Sequence, residues 1–260
     1  MKIPIFQVDA FTSKRFKGNP AAVCPLEKWI GTPIMQKIAS ENNLSETAFF
    51  VREEEGFHIR WFTPKVEVDL CGHATLAAAA VAFEKLGYSK DEIGFNSKSG
   101  LLKVRKVSDE YILDFPADKI IRLQEENELV KAIGSAPEEI WKGKEDHLLI
   151  YKSEQNIINI SPDFNQLAKA SQGGVIISAP GNNVDFVSRF FAPAAGINED
   201  PVTGSAHTTL TPYWADRLKK QELNARQISA RGGDVRCKNM GERIEIGGKI
   251  VFFLEGILEF

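Results

Sequence analysis

The 260-residue chain holds only three cysteines, Cys24, Cys71 and Cys237, and none forms a C-x-x-C pair. Neither a disulfide framework nor the usual spacing of a structural zinc site is expected, and no metal site is called for. An excess of either charge is also missing. Lys plus Arg number 32 against 35 Asp plus Glu, a net charge of -3. That balance gives no electrostatic reason to expect nucleic acid or an anionic membrane as partner. Long apolar runs are absent, since the most lipid-like stretch, residues 74–83, is too short to span a bilayer. The first residues are apolar only as far as Phe6, with Gln7 and Asp9 following, and a secretory signal needs a longer apolar core. A cytoplasmic, reduced protein is expected. No P-loop and no G-x-G-x-x-G after a strand occurs, so a nucleotide cofactor has no visible home.

What is present is the composition of a soluble globular protein, 43% hydrophobic and 26% charged, long enough for one large domain or two ordinary ones. The chain also repeats itself. Thr32-Pro33 looks like a helix start, with a hydroxyl N-cap and proline at the first helical position, and Ser161-Pro162 has the same form 129 residues later. Arg60-Trp61-Phe62-Thr63-Pro64 is matched by Arg189-Phe190-Phe191-Ala192-Pro193 at the same offset of 129. A glycine then opens a helix in each copy, Gly72 and Gly204, with the offset grown to 132. A period this long is a duplicated domain rather than a solenoid. The boundary is expected near Pro116-Ala117-Asp118, giving halves 1–117 and 118–260.

Alternating stretches such as 57–62 and 100–105 read as half-buried antiparallel strands. Residues 74–83 are apolar on every face and mostly alanine, the pattern of a helix buried all round. Each half is therefore expected to be an α+β unit, a rolled, mostly antiparallel sheet around one central helix. The second central helix should run from about Ala206 to Leu218, with Pro212 kinking it or delaying its start. The last strand, around Ile257, is expected to return to the first half.

Each central helix begins at a glycine-containing loop, Asp69-Leu70-Cys71-Gly72-His73 and Asp200-Pro201-Val202-Thr203-Gly204-Ser205. The first N–H groups of a helix have no internal partner, and the dipole adds positive potential. Glycine lets a ligand approach the backbone closely. Two such termini facing one another across a cleft between the halves would hold a carboxylate or an enolate-like oxygen. The plainer alternative is that Gly72 and Gly204 only serve tight strand-to-helix turns.

Four segments, Gly18-Asn19-Pro20-Ala21-Ala22-Val23, Asn43-Leu44-Ser45-Glu46-Thr47-Ala48-Phe49, Asp69-Leu70-Cys71-Gly72-His73-Ala74-Thr75-Leu76 and Glu199-Asp200-Pro201-Val202-Thr203-Gly204-Ser205-Ala206-His207, resemble the motifs of the PhzF family of phenazine biosynthesis isomerases. They occur in the family's order and span essentially the whole chain. The resemblance implies the diaminopimelate epimerase-like fold, an active site between two barrel-like halves, no cofactor, and commonly a homodimer. It implies that Glu46 carries the proton, with His73, Asp200 and Ser205 as companions. Asn19, Cys71, Gly72, Thr203 and Gly204 fall in the same motifs as substrate-binding positions. In the family's namesake the substrate is a dihydro-hydroxyanthranilate, and a glutamate carries hydrogen between ring carbons. For this chain the resemblance implies a small carboxylate-bearing metabolite.

The residues can be weighed on their own chemistry. Glu46, flanked by Phe49 and Phe50, would be partly desolvated, which raises a carboxyl pKa towards neutrality. It would otherwise be a solvated turn glutamate like Glu53, Glu54 and Glu55. At offset 129 its counterpart is Val175, so the second half carries no acid there, and a symmetric two-carboxylate mechanism is not expected. Diaminopimelate epimerases use two cysteines, one before each helix-opening glycine; here Cys71 precedes Gly72, but Thr203 precedes Gly204. A threonine hydroxyl is no thiolate base near neutral pH, so the two-thiol mechanism is broken and Cys71 reads as a packing residue or minor site group. His73 as a metal ligand with Cys71 is a weak signal, and orienting substrate suits it better. Asp200 before Pro201 can simply shape a turn, and Ser205 can simply be an N-cap. His58, His147 and His207 read as surface or structural. Besides an isomerase, an epimerase using Glu46 with Cys71 or His73, or a binding protein that lost the reaction, fits the same residues.

Overall fold

The computed structural model describes residues 1–260. Chain contacts divide it into two compact units, Met1–Asp114 with Ile246–Phe260, and Phe115–Glu245. The chain runs β1 (Lys2–Ala10), β2 (Asn19–Leu26), α1 (Thr32–Asn42), β3 (Glu46–Arg52), β4 (Phe57–Phe62), β5 (Glu67–Val68), α2 (Gly72–Lys85), β6 (Glu92–Ser97), β7 (Gly100–Val107) and β8 (Glu110–Pro116). It continues as β9 (Ile121–Leu123), α3 (Asn127–Ile133), β10 (Glu139–Lys142), β11 (His147–Ile150), α4 (Glu154–Ile158), α5 (Phe164–Ala170), β12 (Val175–Pro180), β13 (Phe186–Ala192), β14 (Ile197–Asp200), α6 (Ala206–Leu218), β15 (Glu222–Gln227), β16 (Gly233–Asn239), β17 (Arg243–Gly248) and β18 (Ile250–Glu259).

The two units share one pairing scheme. In the first, β2 pairs parallel with β3, β3 antiparallel with β4, β4 antiparallel with β5 and parallel with β6, and β6 antiparallel with β7. In the second, β11, β12, β13, β14, β15 and β16 repeat those five pairings in the same order and sense. The first unit is completed by β18, which lies antiparallel along β1.

Side chains repeat as well as strands. Arg60 grips Glu67 with two hydrogen bonds of 2.8 Å and stands over the Phe62 ring. Arg189 grips Glu199 at 2.7 and 3.0 Å and stands over Phe191. A bidentate guanidinium–carboxylate pair fixes both distance and plane. Each pair ties its β4-like strand to the short strand that delivers the chain to the central helix.

The central helix of the first unit is buried along its length, from Gly72 through Ala82. It packs against β1, β2, β3, β7 and β18, which the alanine surface permits by letting strands come close. The opposite face of β2 and β3 packs on α1: Ala22, Cys24, Phe49 and Val51 enclose Met35, Ile38 and Ala39. In the second unit α6 runs from Ala206 to Leu218 without a delayed start, although Pro212 lies inside it. Proline removes the N–H that would satisfy the Thr208 carbonyl four residues earlier. The Asp118 backbone N–H donates to that carbonyl instead, at 3.1 Å, so the helix carries its proline without an orphaned acceptor.

Three sequence expectations require correction. Thr32 is not an N-cap; Gly31 occupies that position and no side chain caps α1. The Thr32 hydroxyl accepts instead from Arg60. Ser161 caps nothing either, because α5 starts later, at Phe164, where the Asp163 carboxylate accepts the N–H groups of Asn165 and Gln166. A carboxylate two residues on from Ser161 is an effective cap and wins the start. The third correction concerns Glu46. Phe62 pairs with Thr47, whereas Phe191 pairs with Val175. Val175 therefore corresponds to Thr47, and Gly174 corresponds to Glu46. The link between β12 and β13 is one residue longer than that between β3 and β4, which the constant offset on either side concealed.

Candidate active site

Glu46 is the first residue of β3, His73 the second of α2, Cys71 the N-cap of α2, and Asn19 the first of β2. The parallel register places Glu46 opposite Ala21. Since alternate residues share a face, Asn19 and Glu46 lie on one face, the face opposite the one Thr47 and Phe49 give to α1. Gly18 makes Asn19's position reachable. It turns at φ +70°, and a Cβ there would stand 2.2 Å from the Ala10 carbonyl oxygen.

The four side chains meet around the His73 ring. Asn19 Nδ2 lies 3.2 Å from His73 Nδ1, and Cys71 Sγ lies 3.5 Å from the same nitrogen. On the other side of the ring, Nε2 lies 3.2 Å from Glu46 Oε2. Glu46 is 9% exposed and His73 5%. Burial depresses the His73 pKa to about 3, so the ring is neutral at physiological pH and its contact with Glu46 is not an ion pair. With the Asn19 amide donating to Nδ1, the proton of the neutral ring belongs on Nε2, facing the carboxylate. That contact is close but off the line of a hydrogen bond.

Glu46, Cys71 and His73 bring their ligand-type atoms within 4.8 Å of one another. The thiol, however, approaches Nδ1 and the carboxylate approaches Nε2, so the two groups meet opposite nitrogens of the ring.

Gly72 opens α2, and the helix's first turn presents N–H groups with no intrahelical acceptor. The loop before it is held by two hydroxyls: Thr75 Oγ1 donates to the Cys71 carbonyl at 2.5 Å, and Ser99 Oγ to the Asp69 carbonyl at 2.8 Å.

The second unit builds a matching set. Asp200 ends β14, and Thr203 and Gly204 lie in the turn before α6. Asp200 and Thr203 are 7% and 8% exposed. The Thr203 hydroxyl donates to Asp200 Oδ2. His207 Nδ1 holds the Thr203 carbonyl at 2.8 Å, and Ser229 Oγ donates to the Pro201 carbonyl at 2.7 Å. Ser205 occupies the N-cap position of α6 but its hydroxyl makes no cap bond, and the residue is exposed. Burial pushes the His207 pKa down to about 4, so it is a neutral structural histidine. Of the other two, His58 is half-exposed beside Glu53, and His147 meets the Ser171 hydroxyl.

Sequence reasoning missed Gln227. It is fully buried, and its amide accepts the Thr203 N–H at 2.8 Å while donating to the Asp200 carbonyl at 2.7 Å. No motif flags a glutamine at a strand end so far along the chain.

The pattern of the PhzC-PhzF family, described as phenazine biosynthesis-like protein, matches residues 8–256. An uncharacterized isomerase of Pseudomonas aeruginosa is 49% identical over 256 residues, 98% of each chain. A PhzF-family protein from Enterococcus faecalis, solved by crystallography, superposes with a TM-score of 0.97 at 46% identity over all of both chains. A hydroxyproline epimerase from Agrobacterium vitis, at 9% identity, shares the fold alone, with a TM-score of 0.62 over 99% of this chain and 92% of that one. The fold is thus the diaminopimelate epimerase-like α+β fold.

Proposed function

The chain belongs to the PhzF family of phenazine biosynthesis-like proteins, and from that premise we propose that it is an isomerase moving a proton along a small carboxylate substrate, with Glu46 as the carrier. The observation that carries this reading is the Glu46–His73 contact. A buried carboxylate lies 3.2 Å from a ring that burial keeps neutral, so the ring can steady the carboxylate without neutralising it.

In the proposed cycle the Glu46 carboxylate takes a proton from a substrate carbon next to an unsaturated group. The carbon's electron pair moves into the conjugated system. The neutral glutamic acid then returns the proton to a different carbon, and the carboxylate is restored. Nothing is oxidised, and no cofactor is called for. His73, 3.2 Å away, orients Glu46 once bound substrate draws Nε2–H into line with the carboxylate. N–H groups at the start of α2 favour a substrate carboxylate or the developing negative oxygen. Asp200, Thr203, Gly204 and Ser205 serve substrate recognition in this reading. The name isomerase carried by near relatives, such as the 49% identical protein of Pseudomonas aeruginosa, supports the reaction class. The same reading takes the protein as a homodimer, which sedimentation as a monomer at micromolar concentration would remove.

The test is incubation in deuterated water with a panel of unsaturated, amino and hydroxy carboxylic acids that includes a dihydro-hydroxyanthranilate. Migration of a double bond with hydrogen transfer, abolished in Glu46→Gln, is the expected result. Inversion at one carbon would make the protein an epimerase instead. Neither change, with binding retained, would leave a metabolite-binding protein.

A further inference from the structure

Gln227 is placed to do more than fill space. It ends β15, where Ser188 of β13 and Gly233 of β16 pair with it. Its counterpart in the first unit is Ser97, which pairs with Gly100 of β7 and spends its hydroxyl on the Gly100 carbonyl within that hairpin. Gln227 instead sends its amide to the Asp200–Thr203 turn, and every polar atom of the amide is used there.

The directions of these bonds follow from which groups can only donate. The Thr203 backbone N–H is a donor, so the atom facing it at 2.8 Å is the amide oxygen. The amide nitrogen then has two protons, one for the Asp200 carbonyl at 2.7 Å and one for Thr203 Oγ1 at 3.2 Å. Having accepted from Gln227, the Thr203 hydroxyl has its own single proton left for Asp200 Oδ2. Gln227, Thr203 and Asp200 are at most 8% exposed, so water is a poor substitute for any of these bonds.

On the functional reading above, in which Asp200 and Thr203 serve the substrate, we propose that Gln227 is the positioning residue of that pair, tying the Asp200 carbonyl to the Thr203 N–H and hydroxyl so that the hydroxyl meets the Asp200 carboxylate in one fixed place. The turn alone does not need it for its remaining anchors, since His207 already holds the Thr203 carbonyl and Ser229 the Pro201 carbonyl. What Gln227 adds is a direct tie between Asp200 and Thr203, which neither of those anchors makes.

The test uses Gln227→Met, which keeps the length of the side chain and removes its donors and acceptor. Amide hydrogen exchange on the full chain reads the clamp without any substrate. Thr203 N–H should exchange about tenfold faster or more, an opening cost of about 1.4 kcal/mol, while Ile177 and Leu210 keep their protection. A crystal structure of the variant should show the Asp200 carboxylate rotated. Kinetics on the fastest-reacting acid of the panel read the consequence. Misplacement of a positioned group costs about 10²-fold, and the loss should fall on kcat more than on KM. Combined with Asp200→Asn, Gln227→Met should cost little further, because the group it orients is already changed. Unchanged exchange at Thr203 with an unmoved Asp200 would overturn the proposal, as would a fully multiplicative loss in the double variant. An Asp200→Asn variant at wild-type rate would instead remove the functional reading itself, and the proposal with it.

Discussion

The two halves carry the same devices in different chemical dress. Before each central helix the chain makes a turn whose last carbonyl is held by a side chain four residues on: Thr75 in the first half, His207 in the second. A serine two residues past a strand end holds the carbonyl two residues earlier, Ser99 on Asp69 and Ser229 on Pro201. The arginine–glutamate pair recurs in both. The acids differ. Glu46 corresponds to Gly174, and Asp200, opposite Phe190 in its ladder, corresponds to Val68, opposite Trp61. The two halves share the scaffold that aims each helix start, and each carries an acid at a place where the other has none. The lesson is that repeated residues here report folding and unrepeated ones report chemistry.

The comparison can be sharpened first on the arginines. Arg189 holds Glu199 and two backbone carbonyls, those of Ile157 and Ile160, whereas Arg60 adds the Thr32 hydroxyl and the face of the Trp29 ring. Removing one partner of a largely buried pair costs about 3–5 kcal/mol. Arg189→Leu should approach that range and Arg60→Leu should fall below it, as read by urea denaturation. Equal losses would mean that the two carbonyl bonds are worth no more than the Trp29 and Thr32 contacts of Arg60.

The histidines give a smaller and pH-dependent effect. Burial depresses His207 to about 4 and His73 to about 3. Below the ordinary histidine value near 6.5 the unfolded chain takes up protons that the native chain refuses. Stability is therefore fully present above about pH 6.5 and declines as pH falls towards the native values. His207→Thr, which copies Thr75, should flatten part of that decline between about pH 6.5 and 4. A variant whose urea midpoint falls as steeply as the parent's would contradict the assignment of His207 as buried and neutral.

The smallest contrast lies in the serines. Ser229→Ala removes two partly buried hydrogen bonds, to the Pro201 carbonyl and from the Gly232 N–H, and should cost about 1–2 kcal/mol. Ser99→Ala removes an exposed one, which water replaces, and should cost less. Thermal melts of the two variants side by side decide the order.

Much of this was legible in the sequence because it is local or periodic. The alanine-rich helix, the recurrent Arg-x-Phe-x-Pro strands and the helix-opening glycines are patterns within a few residues, and the structure builds elements on each. The helix starts are harder to read, because a hydroxyl before proline looks like a cap, while Gly31 occupies that position in α1 and Asp163 is the better cap of α5. A constant offset puts the counterpart of Glu46 one residue too far along, because only strand pairing reveals which link is longer. Gln227 was invisible for a different reason. Its partners lie 24 and 27 residues away in the chain, and the tertiary fold alone brings them together.

The central claim is that one unrepeated acid, Glu46, moves the proton and that the thiol beside it does not. The most direct measurement is single-turnover hydrogen transfer by Glu46→Gln and Cys71→Ala on the same panel acid, with folding and binding verified for both. General acid–base groups contribute about 10²–10⁴-fold, so Glu46→Gln should bind substrate and lose at least that much, while Cys71→Ala stays close to wild type. A Cys71→Ala variant as inactive as Glu46→Gln would contradict the account and make the thiol a partner in the chemistry.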